Sequence, residues 1–342
     1  MAEPRVLVTG GTGLVGGAIV RALLKRKRLA RVLARIPARA RALFGERVEI
    51  AAGDLRDPES LRRACEGIGE IYHVAGAVDT HIHSDGEFLD TNVEGTRRLL
   101  EAARAAGAST FVYTSSVSVY GDRLPLGVAE NAPVRPAGIY GVSKVRAERV
   151  VQAATAAGFR AMIVRPCIVY GPGDRYFLPQ AARVVRLPVL PLPDGGRRVV
   201  DLVHATDLAE AHLLIMDVGR PGEVYNVTDG RCYHAADLIR WMAGALNCSP
   251  WQPTIPWWLA VSVRPLANIV GRLRGLPELR RVGRQELNGL FSDYHFDISK
   301  ITALGYAPRI DARGGLADEL RVHAGSYGTA YRAHAGVASR QG

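Results

Sequence analysis

The feature that most constrains this chain is a glycine-rich turn between a strand-like run and a helix-like run near the N-terminus. The strand-like run covers residues 5–9, and apolar residues at near-helical spacing follow from Val15 to Ala22. Glycines in such a turn let the backbone approach a pyrophosphate at a helix N-terminus. The sequence therefore predicts a dinucleotide-binding unit, with a ligand-free turn as the alternative. The turn reads Gly10, Gly11, Thr12, Gly13, Leu14, Val15 and Gly16.

Short β-rich runs alternate with helical segments along the chain. Strands are predicted at residues 5–9, 31–35, 48–52, 70–75, 110–114, 160–166 and 223–227. This alternation predicts an α/β fold, a Rossmann-like doubly wound parallel sheet with helices on both faces. We assign residues 1–175 to a dinucleotide-binding domain, with the sheet completed by about residues 198–230. Residues 176–197 and 231–324 form a smaller, mostly helical substrate-binding region, and residues 325–342 a flexible tail.

Composition limits the partners and the compartment. The 342 residues are 48% apolar and 23% charged, which is ordinary for a globular protein. The net charge of +11 is spread over many helices without aromatic interleaving, which argues against nucleic-acid binding. No secretory signal and no apolar run of ~20 residues is visible, so we expect no transmembrane segment. Because no C-x-x-C pair occurs, a reducing cytoplasm fits the cysteines at Cys65, Cys167, Cys232 and Cys248.

The charge after the second predicted strand bears on the choice of dinucleotide. A carboxylate about 20 residues past the glycines binds a ribose 2′-hydroxyl, whereas an arginine there can hold a 2′-phosphate. No acidic residue lies between Pro4 and Gly45, and the strand is followed by Arg35, Arg39 and Arg41. This pattern favours NADP(H) bound through Arg35, with NAD(H) still open. The alternatives are a phosphate against Arg39 or Arg41, or an ordinary basic surface.

A second group of residues carries acid-base chemistry. Tyr140 and Lys144 are four residues apart on a helical run and therefore share one helix face. A phenol with a pKa near ~10 is a poor acid-base catalyst at neutral pH, but a neighbouring ammonium lowers that pKa. The hydroxyl of Ser116, just after the predicted strand 110–114, can bind a substrate oxygen. We therefore expect Lys144 to lower the pKa of Tyr140.

With these motifs and three more, the chain resembles the extended short-chain dehydrogenase/reductase (NAD-dependent epimerase/dehydratase) superfamily from residue 5 to about residue 323. The glycine turn and Tyr140-x-x-x-Lys144 are the first two motifs. The others are Asn92-Val93-x-Gly95-Thr96, Arg165-Pro166-x-x-Val169-Tyr170-Gly171-Pro172-Gly173 and Asp297-x-Ser299-Lys300-x-x-x-x-Leu304-Gly305-Tyr306-x-Pro308.

The resemblance implies a role for each matching residue. It implies that Tyr140 donates or accepts a proton and that Lys144 tunes it and binds the nicotinamide ribose. It implies that Ser116 polarises the carbonyl and that Asn92 orders a proton-relay water. The alternative for Asn92 is a helix residue whose amide binds the backbone. Asp54 and Leu55 are candidates to hold adenine, although Asp54 could equally cap the next helix. The other cofactor contacts expected are Gly10, Thr12, Gly13, Leu14, Val15, Gly16, Ala75, Pro166 and Ile168.

Two departures from the nucleotide-sugar members indicate a less polar substrate. Those members usually carry Asn where this chain has Ile168, and Arg where Val200 precedes Asp201. Loss of polar contacts disfavours a polar ligand. The chain looks most like the 3β-hydroxysteroid dehydrogenase and dihydroflavonol 4-reductase branch. That likeness implies hydride transfer between NADP(H) and a bulky apolar secondary alcohol or ketone of the sterol, flavonoid or β-keto type.

Two other functions stay open at this point. One is a nucleotide-sugar epimerase of the hopanoid-associated type with a tightly bound cofactor, and the other is a dinucleotide-binding protein without chemistry. His81 and His83 have no third ligand nearby, so no metal site is expected. The Trp257 to Arg274 region is open to substrate contact, core packing or a weak peripheral membrane contact, and a homodimer is also open.

Overall fold

The computed structural model describes residues 5–78, 84–122, 124–256, 259 and 293–323. The strands are β1 (Arg5–Thr9), β2 (Ala30–Ala34), β3 (Glu49–Ala52), β4 (Ile68–His73), β5 (Thr110–Thr114), β6 (Arg160–Pro166), β7 (Ile168–Tyr170), β8 (Leu192–Pro193), β9 (Val199–Val200), β10 (Leu202–His204), β11 (Val224–Val227), β12 (Tyr233–His234) and β13 (Thr254–Ile255). The α-helices are α1 (Leu14–Lys25), α2 (Pro37–Phe44), α3 (Pro58–Cys65), α4 (Asp85–Leu89), α5 (Gly95–Ala105), α6 (Ile139–Ala156), α7 (Phe177–Val185), α8 (Ala205–Val218), α9 (Ala235–Ala245), α10 (Ser299–Thr302) and α11 (Ala312–His323).

Seven strands form one parallel sheet in the order β11-β6-β5-β4-β1-β2-β3. The strand order therefore reverses between β1 and β4, and ligands of such sheets bind outside the carboxyl ends of the strands at that point. The glycine turn follows β1 directly, which places it at this edge. The predicted Rossmann-like parallel sheet is confirmed.

Successive side chains of a strand point to opposite sides of the sheet, so the apolar strands present apolar side chains on both faces. Helices cover both faces. Val6 and Val8 pack in a cluster with residues of α1, α2 and α8. Leu7 packs on the other face with residues of α3, α5 and α6. A buried parallel sheet explains why its strands read as continuous apolar runs.

The chain beyond β6 adds small sheets and a third apolar cluster. The two-stranded sheets pair β10 with β7, β12 with β9, and β13 with β8. Residues of α7, α9 and α11 pack around Tyr170 and Leu202 in the third cluster. The division of the chain into a cofactor domain and a substrate region stays a prediction.

The predicted strands at 5–9, 110–114 and 160–166 coincide with β1, β5 and β6. The strand predicted at 70–75 ends earlier, at His73, because the amides of Val74 and Ala75 bind the Thr9 hydroxyl at 3.1 Å. His81, His83, the tail 325–342 and, apart from Leu259, the Trp257 to Arg274 region lie outside the described residues. In the part of the chain described, none of the helices has both the length and the apolar character needed to cross a membrane.

Candidate active site

The turn after β1 can be built only from glycine at two of its positions. Gly10 has φ +70°, and a Cβ on it would lie 2.8 Å from the Ala75 amide nitrogen. A Cβ on Gly16 would lie 2.6 Å from the Gly10 carbonyl carbon. Helix α1 begins after Gly13 with neither a side-chain cap nor an acidic residue in its first turn. Free amides and the positive end of the helix dipole therefore face this turn, and the cradle fits a dinucleotide pyrophosphate.

The predicted 2′-phosphate and adenine residues lie near each other after β2 and β3. Arg35 is exposed, and its charge helps to lower the pKa of Asp54. The main cause of that lowered pKa is the Arg56 guanidinium, which donates to the Asp54 carboxylate at 3.1 Å. Asp54 does not cap α3, because Asp57 caps it by accepting from the Glu59 amide.

Ser116, Tyr140 and Lys144 converge where β5 ends. Ser116 begins a single 3₁₀ turn, and its Oγ accepts from the Ser118 amide at 3.2 Å. Tyr140 and Lys144 lie in the first two turns of α6. The Lys144 Nζ donates to the Thr114 carbonyl oxygen at 2.8 Å and lies 5.8 Å from the centre of the Tyr140 ring. The Ser116 side chain also acts on Tyr140: by hydrogen bonding to the phenolate form it opposes the rise in the Tyr140 pKa.

The pKa values of this pair differ from the sequence-based expectation. Burial raises the pKa of Tyr140 to about 12, and the Ser116 hydrogen bond only partly opposes it. Burial lowers the pKa of Lys144 to about 8, against the raising effect of the Glu148 carboxylate. The net shift of the Tyr140 pKa is therefore upward in the chain itself, and the lowering of that pKa by Lys144 stays a prediction. Desolvation disfavours the charged form of both groups, and the ammonium bonds to Thr114 instead of the phenol.

Asn92 lies in a π-helical turn, Asp90–Glu94, between α4 and α5. Its Oδ1 accepts from the Ala77 amide at 2.7 Å, and its Nδ2 donates to the Ala77 carbonyl and to Ser143 Oγ. Ser143 Oγ donates in turn to the Tyr140 carbonyl at 2.7 Å. The amide thus binds backbone, as the alternative interpretation held, and it connects the segment after β4 to the helix that carries Tyr140. Ordering of a relay water stays a prediction.

The model of the NAD dependent epimerase/dehydratase family matches residues 6–228. The chain belongs to this family.

Two curated relatives are similar to this chain over most of its length. A 4-hydroxy-2-methyl-3-oxo-4-farnesyl-3,4-dihydroquinoline-1-oxide ketoreductase of Stigmatella aurantiaca is 30% identical, covering 93% of this chain and 96% of the relative. A 3 beta-hydroxysteroid dehydrogenase/Delta 5-->4-isomerase of Mycobacterium tuberculosis is 35% identical, covering 92% and 89%. The solved dTDP-glucose 4,6-dehydratase DesIV of Streptomyces venezuelae, with NAD bound, is 26% identical with a TM-score of 0.76, covering 95% and 98%.

These findings confirm the predicted superfamily and its steroid-dehydrogenase-like relatives. The protein is an NAD(P)-dependent oxidoreductase of the extended short-chain dehydrogenase/reductase type. A nicotinamide dinucleotide is accordingly its cofactor class.

The other residues predicted to contact the cofactor lie at the carboxyl edge of the sheet, near the glycine turn. Pro166 ends β6, and Ile168 begins β7, paired with Leu202. Thr12, Leu14, Val15 and Ala75 are partly exposed around the turn. Leu55 is an exception, since its side chain is buried and a Cβ on Gly95 would lie 2.8 Å from its Cβ. The contact of Leu55 with adenine stays a prediction.

Sequence reasoning missed several polar residues that hold this site. Thr114 anchors Lys144, and Ser143 joins Asn92 to α6. The available signal for Ser143 was its position three residues after Tyr140, which places it near the same helix face. His73, a polar residue ending an apolar strand, was also missed.

One group of metal-ligand residue types occurs in the described part of the chain. Ligand atoms of Asp201, Cys232 and His295 lie within 4.8 Å of one another. The Asp201 carboxylate already accepts from the Phe296 amide at 2.9 Å and pairs with the His295 ring at 3.0 Å. These bonds satisfy the buried Asp201 carboxylate, which in turn supports the segment around His295.

Proposed function

We propose that this protein transfers a hydride between NADP(H) and a bulky apolar secondary alcohol or ketone of the sterol, flavonoid or β-keto type. The observation that carries the proposal is the convergence of Ser116, Tyr140 and Lys144 beside the glycine cradle. A nicotinamide dinucleotide held by the glycine cradle would supply or receive the hydride. Tyr140 is the general acid or base, Ser116 donates to the substrate oxygen, and Asn92 positions the surrounding backbone.

The protonation states of Tyr140 and Lys144 favour ketone reduction as the direction of the reaction. With a pKa of about 12, the Tyr140 phenol holds its proton at neutral pH and can donate it to the carbonyl oxygen as hydride reaches the carbon. With a pKa of about 8, Lys144 is mostly charged at neutral pH. Its ammonium then stabilises the phenolate that forms in this step.

NADP(H) is the cofactor that the charges favour. Arg35 takes part in no ion pair with another described residue, whereas Arg41 is paired with Glu46. A free, exposed guanidinium beyond β2 suits a 2′-phosphate, because it offers a planar fork of donors. The nearby Asp54 carboxylate is occupied by Arg56.

The apolar substrate class has two supports. Ile168 and Val200 stand where nucleotide-sugar members have polar residues, and Val200 is buried in an apolar cluster. By their names, the Stigmatella and Mycobacterium relatives act on a farnesylated ring ketone and a steroid.

A substrate screen of the full chain tests the function. NADPH consumption is followed by absorbance with steroid ketones, dihydroflavonols, 2-alkyl-3-oxo acids and nucleotide sugars. We expect turnover with one of the first three classes only. Interconversion of a nucleotide sugar without net NADPH consumption would establish the epimerase instead. Tight NADPH binding with no turnover of any class would leave a binding protein.

A further inference from the structure

His73 occupies a buried position between two parts of the candidate site. It ends β4 with 1% of its surface exposed. Its Nδ1 lies 2.8 Å from Thr9 Oγ1, and its Nε2 lies 2.9 Å from Thr96 Oγ1. The rings of Phe111 and Tyr113 flank it at 5.7 and 5.5 Å between centroids. The imidazole therefore joins the residue before the glycine turn to the helix after Asn92.

The neighbouring bonds determine which atoms carry the protons. Thr96 Oγ1 donates to the Asn92 carbonyl oxygen at 2.6 Å, so it must accept from His73 Nε2–H. Burial lowers the pKa of His73 to about 3, with the Lys144 charge adding to the effect, so the ring is neutral. Nδ1 is then an acceptor, and the Thr9 hydroxyl donates to it. Donation runs in one direction, from Thr9 through His73 and Thr96 to the Asn92 carbonyl.

The two ends of this chain of hydrogen bonds hold one backbone segment. Thr9 Oγ1 accepts from the amides of Val74 and Ala75 at 3.1 Å. Asn92 binds both backbone groups of Ala77. Since a Cβ on Gly10 would lie 2.8 Å from the Ala75 nitrogen and 3.1 Å from the Val74 carbonyl carbon, residues 74 and 75 pack directly on the turn. The Asn92 turn and the cofactor cradle are thereby both attached to the segment 74–77.

We propose that His73 is a positioning residue that couples the dinucleotide-binding turn to the helix turn carrying Asn92. This inference rests on the proposed dinucleotide site. A buried histidine that served only the fold would need no such coupling. The distinguishing consequence is that Thr9 and Thr96, which lie on opposite sides of the ring, affect cofactor affinity jointly.

The test is a double-mutant cycle with NADPH as the probe. The dissociation constant of NADPH is measured by its fluorescence for wild type, Thr9→Val, Thr96→Val and the double variant. We expect about 3- to 10-fold weaker binding for each single variant, since Thr9→Val loses the bonds to His73 and to the amides of Val74 and Ala75, and Thr96→Val loses those to His73 and the Asn92 carbonyl. The double variant should bind NADPH only slightly more weakly than the weaker-binding single variant, because either substitution alone already breaks the chain of hydrogen bonds. If the double variant's loss of NADPH affinity equals the product of the two single losses, the coupling is overturned. An unchanged dissociation constant for Thr96→Val would overturn it as well.

Variants of His73 itself separate positioning from folding. His73→Phe removes both bonds, whereas in His73→Asn the side-chain oxygen can still accept from Thr9. We expect His73→Asn to bind NADPH more tightly than His73→Phe. Ile215→Ala, a core substitution in α8, is the matched control for lost stability and should leave the dissociation constant unchanged.

The same cycle is measured by urea unfolding without dinucleotide. Coupling in the free energy of unfolding with no coupling in NADPH affinity would assign His73 to the fold alone and reject the inference. If wild type binds neither NADPH nor NADH, both the proposed function and the coupling are rejected. If wild type binds NADPH but the cycle shows no coupling in its affinity, only the coupling is rejected.

Discussion

The Nζ of Lys144 donates a hydrogen bond to the main-chain carbonyl oxygen of Thr114 over 2.8 Å. Thr114 is the last residue of β5, so the cation is anchored to the carboxyl edge of the sheet. The anchor keeps the ammonium beside Tyr140 while burial lowers its pKa to about 8. The charge at the site therefore changes close to neutral pH.

Lys144 should make the stability of the protein depend on pH above neutrality. Its pKa is about 8 in the folded chain against 10.5 for a free lysine, so the unfolded chain binds more protons between these values. The free energy of unfolding of wild type should therefore rise relative to Lys144→Met, by roughly 2–4 kcal/mol from pH 8 to 10.5. Urea unfolding across this range measures the difference. A difference that does not change with pH contradicts the lowered pKa, and Lys25→Met at an exposed lysine is the control.

Tyr140→Phe should reduce turnover by a factor on the order of 10² to 10⁴, because the positioned proton donor is lost. NADPH affinity should survive, since the ring that packs beside Lys144 remains. Steady-state kinetics on the ketone found in the screen and NADPH titration check both parts. Tyr225→Phe, which removes a buried hydroxyl that accepts from the Arg220 amide, is the matched control. If Tyr140→Phe retained more than about a tenth of the wild-type activity, Tyr140 would not be the proton donor.

Arg35→Asp should invert the cofactor preference. A charge-assisted bond from Arg35 to a 2′-phosphate contributes ~1.5–3 kcal/mol, or roughly 10- to 150-fold in affinity for NADPH over NADH. Titration of both dinucleotides into wild type and variant measures the ratio. Arg62→Asp, on the exposed side of α3, is the charge-matched control. Equal or tighter binding of NADH by wild type would refute the assignment, and inversion by Arg41→Asp instead would move the phosphate to α2.

Gly16→Ala should weaken dinucleotide binding and destabilise the fold. The added Cβ meets the Gly10 carbonyl group, so either the turn or α1 must shift. We expect at least about 10-fold weaker NADPH binding together with a lower melting temperature. Gly244→Ala in α9, where a Cβ meets nothing within 4 Å, is the control and should be neutral or stabilising. Normal NADPH affinity in Gly16→Ala would show that the turn does not contact the cofactor.

The sequence by itself determined the features that depend on short spacing. Strand β1, the glycine turn and α1 follow from residues within a single segment, and so does the shared helix face of Tyr140 and Lys144. Local periodicity and the steric needs of glycine act over a few residues, so they can be recognised without knowledge of the fold.

Only the tertiary structure decided how these pieces affect one another. Lys144 bonds to Thr114, Asn92 to Ala77 and His73 to Thr9 and Thr96, and each bond joins residues far apart in sequence. The pKa of Tyr140 rises because desolvation at its place in the fold disfavours the charged phenolate. Burial and desolvation depend on the packing of the whole sheet and its helices, so no local pattern in the sequence specifies them.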